Sequence, residues 1–211
     1  MEISIDWASI CIVGSRDLKQ NIGTGYVFIK NNTIVTAKHV VVDDVNGDIR
    51  ANLVAQFYGG VTLPLTLWAT HRRNDIAILK TEGECPCTRP LMPSHESIVG
   101  VKGMFYAGYS PSKSADGIPT INISSIHNYN THQVERADEK DEIILEFPAN
   151  YIEPGFSGGP ILAEGGSVVG IITQMFSENE NPQVFGRATS IENLLAGLEF
   201  SINPEIFNFP V

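Results

Sequence analysis

The sequence contains few cysteines, and this shortage limits where the protein is expected to act. Its 211 residues include only three cysteines, and a single proline separates Cys85 from Cys87. That pair is too close to form a structural disulfide readily, and near absence of disulfides is typical of a reducing compartment. Cys11 lies in an apolar run and is expected to be a small buried hydrophobe. We therefore predict a cytoplasmic protein. No metal site is predicted, because Cys85 and Cys87 lack a second ligand pair of suitable spacing.

Positive charge and long hydrophobic runs are also scarce. With 14 Lys and Arg against 24 Asp and Glu, the formal net charge is −10. An acidic surface does not attract nucleic acid or an anionic membrane, so neither is predicted as a partner. No run approaches the ~20 apolar residues needed to cross a bilayer. The first residues, 1–6, lack the cationic region and cleavage site of a signal peptide, which agrees with the expected location.

Short apolar runs separated by turn residues fill the chain, and they predict an all-β fold. Six short strands within residues 7–80, without a long helical pattern, favour a closed barrel. The prolines in residues 81–97 forbid regular structure and predict a crossover linker there. Strands are then predicted at 101–109, 120–129, 142–147, 160–163, 168–175 and 184–189. Ser190 is the candidate N-cap of a terminal helix over 190–195.

We thus expect a single domain of two six-stranded antiparallel β-barrels with a C-terminal helix. The N-terminal barrel is predicted over about residues 1–80, the linker over about 81–97 and the C-terminal barrel over about 98–189. The helix and tail occupy 190–211.

Residues 153–160 hold one serine, Ser157, among glycines. A serine hydroxyl is a poor nucleophile unless a base removes its proton as it attacks. The developing oxyanion also needs backbone N–H donors aimed at one point. Glycine on both sides of the serine leaves such N–H groups unshielded and permits turns that are closed to other residues. By itself, this stretch could equally be an ordinary glycine-rich turn.

Two upstream segments supply what Ser157 lacks. His39 follows a β-branched strand, and Asp75 stands at the head of another apolar strand. The order His, Asp, Ser is one of the known linear orders of the acyl-transfer triad. Taken separately, these residues could be a helix-start histidine, a strand-capping aspartate and a turn serine.

Four segments together closely resemble the chymotrypsin-fold (trypsin-like) serine proteases, and most closely their bacterial HtrA-like branch. These segments are 23–25, 36–39, 74–77 and 157–160. The resemblance extends from about Trp7 to Leu198 and leaves no room for the appended peptide-binding domain common in HtrA-like proteins. It implies a serine endopeptidase that hydrolyses a protein or peptide substrate through an acyl-enzyme, without a cofactor.

The resemblance also implies a role for each residue. Ser157 is the nucleophile, His39 the general base, and Asp75 the group that orients His39. The oxyanion donors are the N–H groups of Gly155 and Ser157, with Phe156 between them. Tyr151 lies at the base of the primary pocket. The other predicted substrate-binding residues are Ile152, Thr173, Gln174, Met175 and Gly186, and Thr173 is also a candidate partner of Asp75.

Phe156 departs from the family pattern, because secreted relatives have an aspartate before the serine. That aspartate pairs with a newly cut N-terminus, so we expect no activating N-terminal cleavage here. The ring of Phe156 is expected to anchor the loop by burial. The charge run 135–142 is either a solvated loop or a regulatory loop.

Three readings of function therefore stand beside one another. They are a general endopeptidase, a narrow protease that cuts one partner when switched on by an activating protein partner, and a catalytically silent peptide-binding or scaffold module. An intact triad favours the first two.

Overall fold

The computed structural model describes residues 5–16, 22–71, 74–95, 98, 99, 101, 103–110, 120–127, 129–136, 139–148, 152–177 and 184–192. These residues form thirteen β-strands, one turn of 3-10 helix at Trp7–Ser9 and a short α-helix, α1, at Lys38–Val41. The fold is mostly β, as predicted. In the described part of the chain, no helix is long and apolar enough to span a membrane.

The first barrel consists of six antiparallel strands and is closed, as the sequence predicted. Around the barrel the order is β1-β2-β3-β6-β5-β4, and β4 pairs back onto β1. Its strands are β1 (Ile10–Ser15), β2 (Gly23–Val27), β3 (Thr33–Thr36), β4 (Leu53–Phe57), β5 (Thr62–Thr70) and β6 (Ala77–Thr81). Closure leaves this sheet with no free edge.

Alternating side chains fill the interior of the first barrel. On β5, the buried Leu65 and the partly buried Leu63 and Leu67 pack in the core, whereas Pro64 and Thr66 between them are exposed. This alternation is what a strand with one buried face requires. The core residues from the other strands include Cys11, Val13, Val27, Ile34, Ala55, Phe57, Ala77 and Leu79.

The second half is a seven-stranded antiparallel sheet, so the predicted six-stranded second barrel is wrong in strand number. This second sheet has the order β8-β7-β11-β12-β13-β10-β9, and within the described residues its end strands β8 and β9 do not pair with each other. Its strands are β7 (Met104–Ser110), β8 (Thr120–Ile126), β9 (Asn130–Arg136), β10 (Glu139–Pro148), β11 (Pro160–Leu162), β12 (Val168–Ser177) and β13 (Val184–Ser190).

The extra strand is β9, which the sequence did not predict. Among the described strands, β9 stands at the end of the sheet and pairs with β10 alone. An edge strand held by backbone hydrogen bonds on one side needs no alternating apolar pattern, so polar residues such as Asn130 and Thr131 gave no strand signal. The described residues of the charge run, 135, 136 and 139–142, lie in β9 and β10 rather than in a free loop.

The predicted C-terminal helix is not established by the structure. The backbone N–H of Glu192 donates to Ser190 Oγ at 3.3 Å, which agrees with the predicted N-cap. The rest of that helix and the tail, residues 193–211, lie outside the described residues.

The linker connects the two halves through backbone hydrogen bonds. Leu91 donates its N–H to Val27 O at 2.8 Å and accepts from the N–H of Ile29 at 2.9 Å. Three residues later, the N–H of Ser94 donates to Val168 O at 2.7 Å. Beyond Thr81, which ends β6, the described part of 81–97 forms no regular strand or helix, although single β-bridges tie it to both halves.

Candidate active site

The pairing of two strands in the first barrel brings His39 and Asp75 together. Strands β3 and β6 are antiparallel, with Thr36 opposite Ala77. His39 follows the end of β3 on the short helix α1, and Asp75 precedes the start of β6, so both side chains emerge at the same end of the barrel. The pairing of these two strands sets this geometry, although β4 and β5 separate them along the chain.

The Asp75 carboxylate holds His39 by two atoms. Asp75 Oδ2 lies 2.5 Å from His39 Nδ1, and Asp75 Oδ1 accepts the backbone N–H of His39 at 2.8 Å. The N–H of Lys38 also donates to Asp75 O at 3.2 Å. These bonds fix the imidazole so that Nδ1 carries the proton shared with Asp75 and Nε2 is available for chemistry.

The hydrogen bond with Asp75 raises the pKa of His39 above its ordinary value of 6.5. Burial opposes this shift, since it disfavours the charged imidazolium. The charges of Asp75 and Asp44 add to the increase, and that of Arg50 reduces it. Both side chains of the pair remain about one-third exposed, at 34% and 33%, so solvent and substrate can reach them.

Ser157 lies in the turn between β10 and β11, where two glycines have positive φ. Gly155 has φ +108° and Gly158 has φ +88°, conformations that other residues rarely adopt. A Cβ on Gly158 would stand 2.2 Å from Thr24 O and 2.6 Å from Ala37 N. Glycine is thus required for the serine turn to approach the first barrel this closely.

The serine turn lies beside the helix that carries His39. Ser157 O accepts the N–H of Thr24 at 2.8 Å. A Cβ on Gly23 would stand 2.8 Å from Ser157 O and 2.4 Å from Val40 Cγ2. Gly23 therefore lies directly between the backbone of Ser157 and Val40, the residue that follows His39. Within the residues that the structure describes, the hydroxyl of Ser157 has no hydrogen-bond partner.

The ring of Phe156 is fully buried, as the sequence predicted. It lies edge-on to Tyr106, with ring centroids 5.9 Å apart, and it fills the space beside Gly108, where a Cβ would come within 2.4 Å of the Phe156 ring. Burial of an aromatic ring of this size holds the serine turn against the core of the second sheet.

Of the predicted pocket residues, the structure brings Ile152 and Gly186 together. A Cβ on Gly186 would stand 2.7 Å from Ile152 Cδ1 and 2.6 Å from Phe147 Cζ, so Ile152 packs in the core with 7% exposure. Gln174 is exposed on β12, and the backbone of Met175 pairs with that of Gly186. Tyr151, the predicted pocket base, lies outside the described residues.

The predicted contact between Thr173 and Asp75 is wrong. Thr173 is buried, and its hydroxyl donates to Arg187 O at 3.4 Å instead. The register of β12 with β13 shifts between Ile172 and Gln174, and this irregularity accompanies the contact with Arg187.

Sequence reasoning missed the ion pair between Arg187 and Glu146. Arg187 Nη2 and Nε lie 2.6 and 3.0 Å from Glu146 Oε1, and Arg187 Nη1 donates to Gln174 Oε1 at 3.4 Å. The two charged residues face each other across β10 and β13. Since their pairing depends on strand register, no local sequence signal reports it.

His71, which lies outside the proposed triad, is buried. It has 5% exposure, and its Nδ1 accepts the backbone N–H of Asn74 at 2.9 Å. The backbone N–H of His71 donates to Ile76 O at 2.9 Å, so His71 is hydrogen-bonded on both sides of Asp75, to Asn74 and to Ile76. An Nδ1 that accepts this bond carries no proton of its own.

A comparison with known families identifies the fold. Residues 23–171 match the family model described as "Trypsin-like peptidase domain". The chain belongs to the trypsin-like peptidase family. The match includes the serine turn and both segments that carry His39 and Asp75, so the resemblance stated from the sequence is confirmed.

Relatives of this trypsin-like domain carry the name "Probable periplasmic serine endoprotease DegP-like". The protein from Pseudomonas fulva (strain 12-X) is 28% identical over 171 residues, which cover 79% of this chain and 32% of that protein. The one from Pseudomonas putida (strain W619) is 26% identical over 165 residues, which cover 76% of this chain and 30% of that protein. This chain thus spans about a third of their length.

Solved structures show the same fold. An HtrA-type protease, AlgW with tripeptide, superposes with a TM-score of 0.64 at 19% identity and covers 90% of this chain and 59% of that chain. The active form of the Rv3671c protease from M. tuberculosis gives a TM-score of 0.66 at 19% identity, covering 91% of this chain and 80% of that chain.

The predicted cytoplasmic location is contradicted by the relatives, which are named as periplasmic proteins. The cysteines explain why the argument failed. All three are buried and unpaired, and burial raises the pKa of Cys85 and of Cys87 to about 11. Buried thiols that stay protonated react slowly, so unpaired cysteines of this kind do not report the compartment.

Proposed function

We propose that this trypsin-like domain is a serine endopeptidase that hydrolyses peptide bonds through an acyl-enzyme. The proposal rests on the two hydrogen bonds that the Asp75 carboxylate forms with His39, one to the ring and one to the backbone. It also rests on the packing of the serine turn beside the helix that carries His39. Family membership supports it, because this constellation and this chain order accompany acyl transfer in trypsin-like enzymes.

In the proposed mechanism, His39 Nε2 takes the proton of Ser157 as its hydroxyl attacks the scissile carbonyl. Asp75 keeps the proton on Nδ1 and stabilises the imidazolium that forms. Since the serine hydroxyl has no partner among the described residues, its alignment with His39 is completed when substrate binds, as is common in unliganded enzymes.

The N–H groups of Gly155 and Ser157 stabilise the oxyanion in this proposal. Neither N–H has an acceptor in the described part of the chain, although Gly155 is a buried residue. Unused donors beside a nucleophile are the arrangement that developing negative charge requires. The tetrahedral intermediate then collapses to the acyl-enzyme as its C–N bond breaks, and His39 gives the proton to the departing amine. Water next attacks the acyl-enzyme while His39 takes its proton, and a second collapse releases the acid and returns the proton to Ser157.

The proposed substrates are proteins or peptides, and the proposed location follows the periplasmic relatives. The pocket residues Tyr151, Ile152, Thr173, Gln174, Met175 and Gly186 remain part of the proposal. None of these six residues carries a carboxylate, which favours substrates with small or medium apolar residues before the cut.

Reaction with a fluorophosphonate, followed by intact-mass measurement, tests the proposed function. We expect one adduct per chain on the parent protein and none on Ser157→Ala. Thr131→Ala, a change at an exposed strand residue, serves as the control that keeps the adduct. Absence of any adduct on the parent would instead favour the silent peptide-binding module.

A further inference from the structure

Thr24 is a fully buried residue of β2 whose polar groups form hydrogen bonds with the serine turn, with β7 and with β3. Its hydroxyl donates to Gly155 O at 2.6 Å and accepts the backbone N–H of Tyr109 at 2.9 Å. Its N–H donates to Ser157 O at 2.8 Å, and its carbonyl accepts the Thr36 hydroxyl at 2.7 Å. One side chain of the first barrel thus contacts both the serine turn and a strand of the second sheet.

Three consecutive carbonyls of the serine turn are held by hydrogen bonds. Gly155 O accepts from the hydroxyl of Thr24, Phe156 O from the N–H of Gly159 at 2.8 Å, and Ser157 O from the N–H of Thr24. Thr24 supplies two of these three donors. With their carbonyls held, the loop residues on either side of Phe156 keep the N–H groups that lack an acceptor among the described residues.

The peptide between Gly155 and Phe156 is the one whose orientation Thr24 sets. Its carbonyl is bound by Thr24, and its N–H donates to Glu153 O at 3.2 Å. This peptide lies between the two unbonded donors. Because a peptide unit is planar, its orientation sets ψ of Gly155 and φ of Phe156, the angles that join it to the two peptides carrying these donors.

The contact with Tyr109 fixes which way the Thr24 hydroxyl donates. A hydroxyl has one proton, and a lone pair of this one already accepts the Tyr109 N–H. Its proton is therefore directed to Gly155 O. Strands β2 and β7 thus fix the position of the Thr24 hydroxyl. The hydroxyl then fixes the position of Gly155 O in the serine turn.

We propose that the Thr24 hydroxyl is a positioning group that orients the Gly155–Phe156 peptide and so keeps the N–H groups of Gly155 and Ser157 directed at the oxyanion. This inference rests on the proposed function and deepens it. Thr24 does not touch substrate. It acts through the turn, and its effect belongs to the transition state rather than to substrate binding.

Thr24→Val is the first test, because valine keeps the shape and removes the hydroxyl. We expect kcat to fall ~10- to 100-fold, somewhat less than removal of an oxyanion donor itself, with KM changed less than ~3-fold. Thr24→Ser keeps the hydroxyl and should restore kcat to within ~3-fold of the parent. A merely structural role would not separate kcat from KM in this way.

A peptide boronate provides a second measurement, since its tetrahedral adduct resembles the transition state. Its inhibition constant should rise in Thr24→Val by about the factor by which kcat falls. Thr81→Val is the matched control, because Thr81 is a buried barrel threonine whose hydroxyl donates to Gly83 O, away from the serine turn. We expect this control to keep the parent kcat despite a comparable loss of a hydrogen bond.

If Thr24→Val does not fold, Thr24→Ser and Thr24→Ala carry the same comparison, since they differ by one oxygen atom. Equal kcat in parent and Thr24→Val, or equal losses in the serine and alanine variants, would overturn the positioning role while leaving the proposed function intact. A parent that neither hydrolyses peptides nor reacts with fluorophosphonate would overturn the proposed function itself, and the role of Thr24 with it.

Discussion

The first barrel and the second sheet position different groups of the proposed active site. The first barrel is closed and presents His39 and Asp75 already bonded to each other at 2.5 Å. Within the described residues, the second sheet is open. It presents Ser157 on a turn between strands, and glycines with positive φ and the buried ring of Phe156 hold this turn in place. One half fixes a pair of side chains, and the other fixes a backbone conformation.

This difference shows where each group obtains its precision. The His39–Asp75 pair depends on neighbouring strands of one barrel. The serine turn depends on contacts across the junction of the two halves, above all with Thr24 and Ala37. Damage within the barrel should therefore alter the base, whereas damage at the junction should alter the turn.

Removing one proposed catalytic side chain from each half should have the largest effect. Ser157→Ala and His39→Ala should each lower kcat by ~10⁴-fold or more, and the double variant should be little worse, because the triad acts as a unit. Asp75→Asn should be similarly severe, since it favours the wrong imidazole tautomer. Steady-state hydrolysis of a peptide substrate measures this. A single variant with the parent rate would refute the roles proposed here.

Gly158→Ala breaks the junction without touching a proposed catalytic side chain. The added Cβ meets Thr24 O at 2.2 Å and requires an unfavourable positive φ. We expect a loss of ~3 kcal/mol or more in unfolding free energy and little activity, as measured by denaturant unfolding and peptide hydrolysis. Gly165→Ala is the control, because a Cβ there meets no atom within 4 Å. Equal stability of the two variants would contradict the close approach.

The specificity of the second sheet is the next point to test. We expect cleavage after Ala, Val, Leu or Met to exceed cleavage after Arg or Lys by ~10-fold or more in kcat/KM, because a buried cation without a counter-charge is costly. A peptide-library digest measures this preference. Dominant cleavage after Arg or Lys would show the pocket assignment wrong, and Glu153 would be the first acid to substitute.

The smallest effect on activity should come from removing the charge of Asp44, which lies near the proposed general base His39. Since His39 must be neutral to accept a proton, kcat/KM should rise with pH through the His39 pKa, which lies above 6.5. Asp44→Asn should move this rise to lower pH, because the Asp44 carboxylate helps to raise that pKa. pH profiles of kcat/KM for both proteins check the sign. A shift to higher pH, or a rate that is flat between pH ~5 and 8, would contradict it.

Local patterns in the sequence were sufficient for much of the fold. The alternation around Leu65 and the apolar runs beside His39 and Asp75 predicted the first barrel, since each strand there buries one face. The glycines around Ser157 predicted a special turn, and the burial of Phe156 followed from its apolar ring.

Features that depend on register were not predictable in this way. The polar edge strand β9, the ion pair of Arg187 with Glu146 and the contact of Thr173 with Arg187 are all set by pairings between distant strands. Thr24 lies in segment 23–25, one of the four segments that carry the family resemblance. Nothing in the sequence shows that its hydroxyl donates to Gly155 O, which is 131 residues away. Burial of His71 also depends on a turn that its own neighbours do not reveal.

The linker has a consequence for how the molecule unfolds. Leu91 is bonded to Val27 and Ile29 in the first half, and Ser94 is bonded to Val168 in the second, so the connecting segment belongs to both cores. Separating the halves would expose backbone groups of the linker that are now paired, in addition to the buried surface between the strands. The two halves should therefore lose structure in one cooperative transition rather than as independent units, and the protease site should disappear at the same denaturant concentration as the barrel.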